Sequence, residues 1–151
     1  SGPNFAKLSE LDISNNAIID AWPLSALRTL TKLNLSGNHS IDIVQVRPVL
    51  DMNWGLTSLG LNGIHIGAFG NLGALFNPQT GRPYDFVELD LGNSGLTDLA
   101  GNKSLDFLQP YANLTRLNVA GNGIDNIQVF WSPNLNGSGP NFATGRKARP
   151  Q

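Results

Sequence analysis

No cysteine occurs in the 151 residues. The chain therefore forms no disulfide, holds no thiolate-bound metal and offers no cysteine nucleophile. Charge is scarce as well. Asp, Glu, Lys and Arg make up 14%, against roughly 25% in an ordinary domain. Asn, Gly, Ser and Thr take their place, giving the polar, weakly charged surface common on secreted and cell-surface proteins. A net charge of −1 leaves no general attraction to nucleic acid or to an anionic membrane. No apolar run approaches the roughly 20 residues a membrane-spanning helix needs, so no membrane insertion is expected. The chain has no H-E-x-x-H, no P-loop and no G-x-S-x-G, and its carboxylates are scattered. Neither catalysis nor a cofactor is expected. The start, Ser1-Gly2-Pro3 without a Met or a visible leader, reads as processed or excised.

What is present is a repeat. Apolar residues recur at positions 1, 4, 6 and 11 of a frame, often with Asn at 9. The first copy uses Leu8, Leu11, Ile13, Asn16 and Ile18. The second uses Leu30, Leu33, Leu35 and Asn38, with Ile41 one residue late. The third uses Leu56, Leu59, Leu61 and Ile66, with Ile64 in the Asn position. The fourth uses Phe86, Leu89, Leu91 and Leu96, with Ser94 there. The fifth uses Leu114, Leu117, Val119, Asn122 and Ile124. A short strand at positions 3–5 explains the pattern, because alternation sends positions 4 and 6 inward. One copy cannot bury its apolar face alone, so the copies must stack. The Asn amide satisfies backbone groups that the bend after the strand leaves inside the stack. Where Ile64 and Ser94 interrupt that ladder, local irregularity is expected.

This frame resembles the leucine-rich-repeat family, whose pattern reads L-x-x-L-x-L-x-x-N-x-L. The first spacing, 22 residues from Leu8 to Leu30, is similar to the regular repeat of bacterial internalin-like surface proteins. The later spacings are longer. The resemblance implies an α/β solenoid: a leucine-rich-repeat arc with a parallel β-sheet on its concave face and short helices or irregular loops on its convex face. Residues 1–7 are read as a lead-in, 8–131 as the repeat domain and 132–151 as an extension or linker. The family commonly binds ligands on the concave face and is mostly non-catalytic. The function implied is a secreted or cell-surface recognition module for adhesion or ligand binding, with a protein or glycan partner.

The outward strand positions are the candidate ligand face: Glu10, Asp12, Lys32, Asn34, Glu88, Asp90, Arg116 and Asn118. Glu10 should face Lys32, and Glu88 should face Arg116, about 4.8 Å away across the sheet. Two readings stay open: surface ion pairs worth under about 1 kcal/mol each, or a polar binding face. No Trp or Tyr stands at these positions, although tight protein contacts favour them.

The alternative class is a structural subunit of a surface layer, sheath or filament, assembling with copies of itself through its solenoid ends and tail. SGPNFA occurs at Ser1–Ala6 and again at Ser138–Ala143, and no polar cap precedes Leu8 although solenoids need caps. Phe130 and Trp131 are placed to close the C-terminal end. With Arg146, Lys147 and Arg149 of the basic tail they are the assembly candidates. His39 and His65 follow position 9 in adjacent repeats, but no third ligand accompanies them, so a metal site is not expected. Trp22, Trp54 and Trp131 are expected to pack under outer segments. Residues 67–85 read as an irregular loop, Ser104–Leu108 as a short helix capped by Ser104, and Val44–Met52 as helical but strained by Pro48. Glycosylation sequons stand at Asn38, Asn102, Asn113 and Asn136.

Overall fold

The computed structural model describes residues 4–72 and 80–131. The tail cations Arg146, Lys147 and Arg149, the second SGPNFA, the sequon at Asn136 and part of the 67–85 loop lie outside the described residues.

Among the described residues five strands form one parallel sheet: β1 (Glu10–Asp12), β2 (Lys32–Asn34), β3 (Ser58–Gly60), β4 (Glu88–Asp90) and β5 (Arg116–Asn118). They lie side by side in chain order, and the sheet is open. Each repeat position pairs with itself: Glu10, Lys32, Ser58, Glu88 and Arg116 form one row, and Leu11, Leu33, Leu59, Leu89 and Leu117 the next. The reason is the frame. A slip of one residue would turn every inward leucine outward.

The convex side is built mainly from 3-10 turns, at Trp22–Ala26, Ile43–Gln45, Phe69–Leu72, Asp106–Leu108 and Gln128–Phe130. Among the described residues one α-helix, α1 (Val46–Met52), interrupts them. Pro48 causes no strain there. It stands in the first turn of α1, where its missing N–H has no intrahelical acceptor to lose. The segment expected to be a helix at Ser104–Leu108 is a single 3-10 turn. Its N-cap is Leu105 rather than the expected Ser104, which stands one residue earlier and accepts from Asp106 N through its Oγ at 3.2 Å.

Leu30, Leu33, Leu35, Leu61, Ile64 and Ile66 are fully buried in the middle coils. Their counterparts in the first and last coils, among them Leu11, Ile13, Leu117 and Val119, are half-buried. The wider coils three and four fill their extra width with rings. Phe69 stacks on Phe107 with centroids 4.8 Å apart, and Phe86 stacks on Tyr111 at 5.9 Å. The 67–85 segment is thus no mere irregular loop: it delivers Phe69 and Tyr84 to the core.

The amide ladder is bridged at Ser94 but not at Ile64, whose side chain has no polar group. Asn38 donates to Ile13 O and Leu35 O and accepts from Ile18 N. Asn122 does the same between coils four and five, bonding Leu91 O, Val119 O and Leu96 N. At Ser94 the hydroxyl takes over the link to Leu61 O, and the Ser94 carbonyl receives Ile66 N at 2.8 Å. The expected irregularity does not reach the sheet, whose register runs unbroken through β3 and β4.

Candidate functional site

The concave face forms an open groove of about 660 Å³, and all eight candidate residues line it. They divide into two rows with different duties.

Position 5 holds Asp12, Asn34, Asp90 and Asn118. Each side chain accepts from the backbone N–H two residues on: Ser14, Ser36, Gly92 and Ala120, at 2.9 to 3.1 Å. These Asx-type bonds end each strand and aim the chain into its bend. In the third repeat Gly60 has no such group, and Asn62 N donates instead to Ser36 Oγ at 2.9 Å. Asp90 is the hub of the row. Its Oδ1 also accepts from Asn62 Nδ2 at 3.1 Å and Asn118 Nδ2 at 3.0 Å. The Ser14 hydroxyl and backbone N–H bonded to Asp12 hold its carboxyl below the usual carboxylate range.

Position 3 is the freer row. Ser58 Oγ donates to Glu88 at 2.8 Å, and Arg116 Nε lies 3.8 Å from the other Glu88 oxygen. That ion pair matches expectation, but with Arg116 largely exposed it contributes little to stability. Glu10 and Lys32 are register partners, yet among the described residues no ion pair within 4.0 Å joins them. Both are exposed. The groove thus carries four carboxylates and two cations, with small residues, Ser58 and Gly60, at its centre.

A further column went unremarked in the sequence. Position 8 has positive φ in every coil, at Asn15, Gly37, Gly63, Asn93 and Gly121. Only Gly and Asn stand there, the residues that tolerate that conformation, and this composition was the available signal. The asparagines of one coil lie against the glycines of the next: a Cβ on Gly37 would collide with Asn15, and one on Gly121 with Asn93. Asn53 was also missed. Fully buried, it accepts from Leu30 N at 2.9 Å and donates to Val49 O, tying the end of α1 to the second repeat.

His39 Nδ1 bonds Gly63 O at 3.0 Å, and His65 lies over Gly95. Among the described residues no three His, Cys, Asp or Glu side chains gather as metal ligands would, and no helix is long and apolar enough to cross a membrane. The sequon asparagine Asn38 is buried in the ladder and inaccessible to glycosylation in the folded chain.

The tryptophan expectation fails. Trp22, Trp54 and Trp131 are 59%, 53% and 44% exposed, whereas Tyr84 is buried. The reason is that leucines and the Phe–Tyr stack already fill the coils. Phe130 is likewise half-exposed, at 50%.

Stacked coils, one parallel sheet and inward leucines define an α/β solenoid arc. The family model for Leucine Rich repeat matches residues 26–42 and 112–127, the cores of the second and fifth copies. Matches at these two positions, in register with the other three copies, support a leucine-rich-repeat protein. Such repeats serve generally as protein-binding, non-catalytic modules. Comparison with curated proteins gives no match.

Proposed function

We propose that the chain is a non-catalytic recognition module of a secreted or cell-surface protein, and that it binds a protein partner across its concave face in adhesion or ligand capture. The observation that carries this reading is the position-3 row, Glu10, Lys32, Ser58, Glu88 and Arg116, running in unbroken register along the groove. Position 5 is occupied with holding the bends, so position 3 supplies the contacts. The alternating charges favour a polar, salt-sensitive interface over a tight aromatic one. The weakly charged surface supports the extracellular location.

The test is surface plasmon resonance against a panel of purified extracellular proteins, using the chain and a Lys32→Glu/Arg116→Glu double variant. A partner whose binding weakens with salt, and drops about tenfold or more in the variant, supports the reading. A partner bound equally by both, or no partner in the panel, refutes it.

A second reading, assembly with copies of itself, is favoured by the half-buried core residues of the outer coils, together with exposed Phe130 and Trp131. Light scattering across a concentration series decides it: growth into rods supports assembly, and a monomer at the highest concentration removes it.

A further inference from the structure

Three coils meet on the flank of the solenoid, where each outer segment turns back toward its strand. Trp54 comes from the residues before β3, Thr80 to Asp85 from those before β4, and Pro110 to Asn113 from those before β5. Together they line a hollow of about 400 Å³ that shares no residue with the concave groove. Trp54 is half-exposed, yet its indole is fixed, because Nε1–H donates to Asp51 O. Tyr84 is fixed from the same residue, its hydroxyl donating to Asp51 Oδ1 at 2.6 Å while Arg47 Nε holds both Asp51 oxygens at 2.9 Å. Asp51 therefore sets both rings. Asn113 donates to Asp85 across the hollow, and Arg82 stands exposed beside them.

We propose that this hollow is a carbohydrate subsite that takes one uncharged pyranose ring, with the sugar's C–H face on the Trp54 indole and its hydroxyls on Arg82, Asp85 and Asn113. Rigid aromatic area costs little ordering entropy on binding, and the planar polar groups present both donors and acceptors to vicinal hydroxyls. One cation and one anion on the wall cancel, which favours a neutral ligand. A proline-rich peptide, the other frequent occupant of aromatic hollows, takes a hydrogen bond from the indole N–H; here that group is committed to Asp51, and only the ring face is on offer.

The test records the indole N–H resonances of the ¹⁵N-labelled chain during titration with cello-, manno-, chito- and β-1,3-gluco-oligosaccharides to about 10 mM, a range suited to millimolar affinity. The expected result is a saturable shift of the Trp54 signal with at least one sugar, while Trp22 stays still. Binding weakens at least about tenfold in Trp54→Ala. It weakens also in Arg82→Ala, an exposed change that leaves the fold intact, and is unaltered by the concave-face variant Lys32→Glu. The proposal is overturned if no sugar moves Trp54, if Trp54→Ala binds equally well, or if a polyproline decamer shifts Trp54 and the sugars do not.

Discussion

Replacing Asn38 with alanine tests the account of how the coils are joined. The side chain is fully buried and makes three bonds to two coils. Their losses are unequal. Ile13 O keeps Asn16 Nδ2 at 3.0 Å, and Leu35 O keeps Asn38 N at 3.3 Å. Ile18 N keeps nothing and becomes a partly buried donor without an acceptor. An orphaned donor costs about 1–3 kcal/mol and each ordinary bond about 0.5–1.5, so the change should cost about 2–6 kcal/mol. With a slope of about 2 kcal/mol/M, the urea midpoint falls by about 1–3 M. Circular dichroism during urea unfolding measures it. Asn16→Ala is the internal control: it holds the same repeat position but is exposed and bonds only Ile13 O and Ser14 O, so it should cost less than about 1 kcal/mol. If Asn38→Ala leaves too little folded chain to measure, Asn38→Ser gives an intermediate cost, as serine already serves at position 94. Equal midpoints for the Asn38 and Asn16 variants would refute the reasoning.

Two pH effects follow from the structure. Burial raises the phenols of Tyr84 and Tyr111 above their ordinary value of 10.0, and Asp51 raises Tyr84 further. Stability is therefore complete below pH 10.0 and declines above it as the unfolded phenols ionise first, and absorbance at 295 nm should show no tyrosinate until the chain unfolds. Asp98 titrates in the opposite sense. The backbone N–H of Asn102, its side-chain amide and the Ala100 N–H bind its carboxylate and depress it below 3.8. Its contribution is fully present above pH 3.8 and lost as pH falls through the lower folded value. The Asp98 carboxyl carbon resonance should titrate below 3.8, with amide protection at Ala100 and Asn102 vanishing over the same range; a midpoint at or above 3.8 would count against the described loop.

The strands, their register and the inward leucines were legible because each is a local consequence of alternation at a fixed frame. The convex side was less legible. α1 was found, but Pro48 was misjudged, since whether proline strains a helix depends on where the first turn begins. The candidate ligand face was located by the same frame, but its division of labour was not. Asp12, Asn34, Asp90 and Asn118 look like binding groups along the chain and are bend-forming groups in space.

The sequence by itself determined that this chain is a stack of leucine-rich coils, because a periodic apolar pattern admits one way of burying its residues. Only the tertiary structure decided that Trp54 stays exposed while Tyr84 is buried. It also decided that Ser94 replaces an asparagine without breaking the ladder, and that three outer segments converge on one hollow. Those outcomes depend on how much volume each coil leaves to fill and on which backbone groups lack partners once neighbours are in place, and neither quantity is a property of any single stretch of chain.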